Sequence, residues 1–153
     1  MKNLFLCFIL TFSSVLNAQN VYKVKLEGCD TERFALESQR ATTAVDDDIL
    51  LEFVTKHLSP EDRAQLRGIL KLQILVYTDG SSCFLSFENQ TNSNLAIFNI
   101  PAMKSAIDAD LTWSPPEKNV AALIEIRFTK KKAIIKRYGM HGALGWHELK
   151  KAK

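Results

Sequence analysis

Any chemistry in this chain would have to be built from few side chains. Its 153 residues hold three histidines, His57, His141 and His147, and three cysteines, Cys7, Cys29 and Cys83. A zinc centre needs three or four ligands converging on one point. His141 and His147 have Glu148 beside them, but His57 is distant and the spacing fits no metal motif. A thiol nucleophile needs an accessible thiolate next to a base, whereas Cys83 falls in a strand pattern that turns it inward. Ser81 and Ser82 follow Gly80 without the strand–elbow–helix context of a serine nucleophile. Asp79 is explained by the turn it opens. The residues therefore predict a non-enzymatic protein with no catalytic residue, no cofactor and no metal site.

Cysteine also allows a structural role. Cys29 and Cys83 remain once the apolar leader containing Cys7 is set aside, and two readings stand. One is a disulfide, whose loop of about 55 residues would contribute about 4 kcal/mol by constraining the unfolded chain. The other is a pair of buried free thiols.

The elements that must position these residues are clearest between residues 68 and 129. Gly68 opens a run in which Leu70, Leu72, Ile74 and Val76 alternate with Lys71, Gln73, Leu75 and Tyr77, the period of a strand with one apolar face. Asp79-Gly80 follows, a hairpin signal, because glycine takes positive φ without a Cβ clash. The partner strand places Cys83, Leu85 and Phe87 on one side, and Ser82, Ser86 and Glu88, with Phe84, on the other. Asn99 caps a helix with Met103, Ala106, Ile107 and Leu111 on one stripe. Trp113-Ser114-Pro115-Pro116 ends it, with Trp113 as a core lid and the prolines forbidding continuation. A third strand carries Val120, Ala122, Ile124, Ile126 and Phe128 inward, and Ala121, Leu123, Glu125, Arg127 and Thr129 outward.

Flanking segments are weaker. Residues 21–26 alternate apolar and basic residues as a short edge strand would. Asp30 or Thr31 caps a helix through Phe34, Leu36 and Ala41. Asp46, Asp47 and Asp48 sit at the positive end of a helix over residues 49–58, and Ser59-Pro60-Glu61-Asp62 starts another. Lys130, Lys131 and Lys132 turn the chain into a fourth, edge strand over residues 133–138. The domains read as a signal peptide (1–18), an N-terminal helical region (19–67), an α+β domain (68–138) and a basic C-terminal tail (139–153). The fold class is α+β: a three-stranded antiparallel sheet, with a fourth edge strand, and a helix packed on one face.

With 46% hydrophobic and 24% charged residues, the chain suits one folded domain. Lys2, the apolar run over residues 4–15 and Leu16-Asn17-Ala18 have the layout of a cleaved secretory signal. The run is too short to span a bilayer, so no stable membrane anchor is expected and the product is exported, periplasmic or secreted. Loss of Lys2 lowers the formal charge from +3 to +2. Residues 130–153 are nonetheless basic, which reads as a solvated end. Phe128, Arg137 and Tyr138 interleave too thinly with those lysines for nucleic-acid binding.

The order of features over residues 68–129 resembles the C-terminal domain of the TonB family, energy transducers of bacterial outer-membrane uptake. The likeness is carried by Gly68, Asp79-Gly80, the helix after Asn99, Trp113-Ser114-Pro115 and the alternating strand over residues 120–128. Glu27-Gly28-Cys29-Asp30 is similar to a segment preceding this domain in exported Bacteroidetes-type relatives. The resemblance implies a role in transport through the cell envelope. An open sheet edge would pair with an extended peptide of an outer-membrane receptor or another envelope protein, or a sheet face would make the contact instead. Here that edge would be the last strand, with Val120, Leu123, Glu125, Arg127 and Thr129. The same edge could instead serve a homodimer. The chain is expected to lack the membrane helix and Pro-rich spacer of a complete transducer.

Overall fold

Strand pairing rather than helix packing organises the molecule. The computed structural model describes residues 20–150, so the signal-peptide reading lies outside the described residues. In chain order the elements are β1 (Val24–Lys25), β2 (Ala35–Leu36), α1 (Asp47–Thr55), α2 (Pro60–Gln65), β3 (Gly68–Val76) and β4 (Ser82–Thr91). A 3-10 turn (Leu95–Phe98), α3 (Ile100–Asp110), β5 (Val120–Phe128), β6 (Ala133–His141) and β7 (Gly145–Glu148) complete it. One seven-stranded sheet runs in the order β1-β4-β3-β5-β6-β7, with β2 paired to β5. Every pair is antiparallel except β2 with β5.

Four expectations are corrected. The molecule is a mostly β, seven-stranded structure with three short helices, not a three-stranded sheet carrying one helix. No helix forms around Phe34 and Leu36. There Ala35 and Leu36 lie parallel to Val120 and Ala121, because a strand edge was available and the apolar stripe was too thin to hold a helix. The strand over residues 120–128 is no edge: β3 flanks its whole length, β6 covers residues 123–128 and β2 takes over at Val120 and Ala121. Residues 139–148 are not a tail but the end of β6, its turn and β7.

The helices begin where their side chains can satisfy open amides. Asp46 Oδ1 accepts from Asp48 N at 2.8 Å and Ile49 N at 3.1 Å. Ser59 Oγ accepts from Asp62 N and donates to Asp62 Oδ2, a reciprocal cap with Pro60 at the first helical position. Asn99, at φ 45°, caps α3 through Ala102 N. Helices this short need tertiary packing. They obtain it on one sheet face, where Leu50, Val54, Met103 and Ile107 meet Leu70, Leu72, Ile74, Val76, Ala122, Ile124 and Ile126. A bulge shifts the β3–β4 register between Gln73, opposite Ser86, and Ile74, opposite Phe84. Leu85 is the extra residue. Phe84 and Phe87 therefore both join the helix-side core, their ring centroids 5.8 Å apart, while Cys83 and Leu85 face the other way.

That second face is half covered. Leu75, Cys83, Leu85 and Ala121 form a smaller cluster with Cys29, Phe34, Leu36 and Tyr77. Ahead of it, Val21 N and Ser86 Oγ both donate to Gln73 Oε1, at 2.8 and 2.6 Å, and Tyr22 is buried on the sheet. Beyond this strap the face is polar. Register places Glu88 opposite Lys71, Lys71 opposite Glu125, and Glu125 opposite Lys136, whose Nζ lies 2.6 Å from Glu148. Charges alternate across five strands.

Candidate functional site

The Asp79-Gly80 hairpin and the Trp113 corner lock together. Asp79 Oδ1 accepts from Ser81 N at 2.9 Å and Ser81 Oγ at 2.6 Å, and these bonds hold its carboxyl below the usual range. Gly80, at φ 84°, accepts Trp113 N at 2.9 Å; a Cβ there would sit 2.6 Å from Trp113 O. Trp113 is buried and Pro115 packs beside Gly80, so Gly68, Asp79, Gly80, Trp113 and Pro115 are parts of the framework. Cys29 and Cys83 form a disulfide across 54 positions, pinning the N-terminal strap to β4. Lys104 Nζ stands 3.5 Å from Cys83 Sγ and 3.7 Å from Cys29 Sγ.

Arg137 and Glu37 make a buried node that the sequence alone left unmarked. Glu37, 1% exposed, pairs with the Arg137 guanidinium and accepts from Thr42 N, Thr42 Oγ1 and Thr43 N. Arg137 also donates to Thr43 O at 2.9 Å and lies 5.3 Å over the Trp113 ring. A cleft of about 170 Å³ opens beside it, where apolar Val45, Leu50 and Leu149 meet charged Asp47, Lys136 and Glu148. Both terminal nitrogens of the Arg137 guanidinium are committed to protein acceptors, while its buried Nε has none among the described residues, and the two bonds fix the 37–43 segment against β6.

The histidines divide. Gln39, at φ 61°, receives both distal ones: its backbone N donates to His147 Nε2 at 3.1 Å, and its side-chain amide lies 3.2 Å from His141 Nε2. His57 lies on the segment after α1 and no contact brings it to them. Among the described residues no group of three His, Cys, Asp or Glu side chains could hold a metal ion. No helix among them is long and apolar enough to cross a membrane.

The surface that stands apart is the β6–β7 margin. Met140 is 43% exposed, Leu144 61% and Trp146 44%, with Met140 paired opposite Trp146. Trp146 stacks on Tyr138 at 5.8 Å between centroids and 16° between planes. Burial and the nearby Glu125 carboxylate push the Tyr138 hydroxyl pKa up. β7 ends the sheet, and no strand among the described residues pairs with its outer side over residues 145–148. Of the strand residues named for partner binding, Val120 and Leu123 are buried, whereas Glu125, Arg127 and Thr129 keep some exposure. The signal that could have found the margin is Tyr138 with Trp146, two aromatics bracketing a glycine-rich turn. Scanned against protein-family models, curated proteins and solved structures, the chain gives no significant match.

Proposed function

We propose that this chain is a non-enzymatic, exported protein-interaction module that works by strand addition at its β7 margin. The partner is an outer-membrane receptor or another envelope protein, supplying an extended segment. From the TonB resemblance the proposal retains the mode of recognition, an open sheet edge offered to a peptide, and moves it from β5 to β7. The observation that carries it is the terminal position of β7 beside exposed Met140, Leu144 and Trp146. Main-chain pairing would supply affinity, and the Tyr138–Trp146 stack an apolar anchor.

The test is photo-crosslinking from position 144 in the exported protein, followed by identification of the captured segment. Capture of one envelope protein, abolished by Trp146→Ala with the thermal midpoint retained, supports the reading. A stable dimer by light scattering, crosslinked through the same position to itself, would make the module self-associating. Crosslinks insensitive to Trp146→Ala would remove the margin as the contact.

A further inference from the structure

A second surface lies where the α1–α2 corner meets the β5–β6 turn. Arg63, Arg67, Lys130, Lys131 and Lys132 line one cleft there, over a floor that includes Leu58, Leu66 and Phe128. No carboxylate among the described residues lies within ion-pair distance of any of these five cations. That arrangement is costly in isolation, because like charges repel and no ion pair among the described residues offsets them.

The backbone that carries them is held in place. Thr129 Oγ1 accepts from Lys131 N at 3.3 Å and Lys132 N at 3.1 Å, and donates to Lys132 O at 2.7 Å. Arg67 N donates to Asn92 Oδ1 at 2.7 Å, and Asn92 N donates back to Arg67 O at 2.8 Å. Each guanidinium spends one nitrogen on a nearby carbonyl, Arg63 on Thr55 O and Arg67 on Leu66 O, leaving further N–H donors on each planar fork. Guanidinium forks match phosphate oxygens bidentately, and ammonium groups add point charge.

We infer that this cleft binds a phosphate-bearing anion, either free in solution or as the headgroup of a lipid. The interaction is independent of the β7 margin and stands if that reading fails. Calorimetric titration of the full chain with pyrophosphate at low salt, and co-sedimentation with phosphatidylglycerol vesicles against phosphatidylcholine vesicles, test it. Lys131→Gln/Lys132→Gln changes only exposed side chains, and Arg63→Gln provides a second variant from the other wall. Each should weaken binding about tenfold or more, whereas Lys136→Gln, outside this cleft, should leave it unchanged. Binding to vesicles alone assigns the phosphate to lipid; binding to pyrophosphate alone assigns it to a soluble ligand. No binding to either, or equal weakening by Lys136→Gln, overturns the site.

Discussion

Lys104 and Asp108, one turn apart on α3 with their side chains 2.7 Å apart, take both backbone groups of the same β4 residue. Lys104 Nζ donates to Phe84 O at 3.0 Å, and Asp108 Oδ1 accepts from Phe84 N at 2.7 Å. β1 pairs with Ser86 and Phe87, and Leu26 N just after it donates to Leu85 O at 2.9 Å, one residue short of Phe84. Two side chains therefore do at Phe84 what a neighbouring strand does elsewhere, and they fasten the helix to the sheet.

Removing one half of that grip leaves a polar group stranded. Asp108→Ala should destabilise the fold by about 2 kcal/mol, and Asp108→Asn, which keeps an acceptor, by about half as much. Urea unfolding of these variants and of Lys104→Ala, completed as a double-mutant cycle, measures the coupling. Additive effects would mean that the two contacts do not act together.

Reduction should act on the strap. Opening Cys29–Cys83 releases a loop spanning 54 positions, for which the loop-entropy model gives about 4 kcal/mol. A lowered thermal midpoint in dithiothreitol, matched by Cys29→Ser/Cys83→Ser and absent when that variant is itself reduced, is the expected result. Once reduced, Cys83 lies between the Lys104 ammonium and the Asp108 carboxylate, at 3.5 and 3.6 Å from its sulfur.

Arg137 and Glu37 should not tolerate separation. Arg137→Met leaves a buried carboxylate without its cation and should cost about 3–5 kcal/mol, more than Arg127→Met, whose partner pair lies nearer solvent. Chemical denaturation compares the two directly.

Gly139 is needed for space rather than flexibility. A Cβ there would meet Glu37 O at 2.5 Å and Leu149 Cδ2 at 2.6 Å, whereas one at Gly142 meets nothing within 4 Å. Gly139→Ala should lower stability by about 1–3 kcal/mol and Gly142→Ala by little. Similar midpoints for both variants would contradict the close approach of residue 37 to β6.

Alkaline pH should find the tyrosines. Burial is the first cause that raises Tyr22, with Glu125 and Glu88 adding to it, and Tyr77 and Tyr138 are raised as well. A folded pKa above the unfolded value means that the native state holds its proton more tightly. This stabilisation is complete below about pH 10 and is lost as pH climbs above it, by up to about 1.4 kcal/mol per pH unit for the buried Tyr22 and by less for the more exposed Tyr77 and Tyr138. Phenolate absorbance should lag that of free tyrosine and then rise with unfolding, and Tyr22→Phe should flatten the stability profile.

Features closed within a few residues were legible in the sequence. Asp46, Ser59 and Asn99 cap helices because their oxygens reach amides two or three positions on, and Asp79-Gly80 turns for equally local reasons. What escaped depends on distant strands. Phe34 and Leu36 fit a thin helical stripe and a period of two alike, and β5, some 85 positions later by the Ala35–Val120 pairing, decides between them. The side of Phe84 is set by a register shift against β3, invisible within β4 alone. The binding edge failed for the same kind of reason: β6 runs three residues beyond the expected strand and brings β7 with it. Glu37 and Arg137, 100 positions apart, carried no local mark at all.

The alternating row from Glu88 to Glu148 decides how another molecule can approach. Laying a dry surface flat on it would strip water from five ionised groups at once, at several kcal/mol per ion. Newcomers are thus steered towards the rim, and copies of the chain are discouraged from stacking face to face into fibrils. In acid, with its three carboxylates protonated, the row would become wholly cationic, and that barrier would change from solvation to plain repulsion.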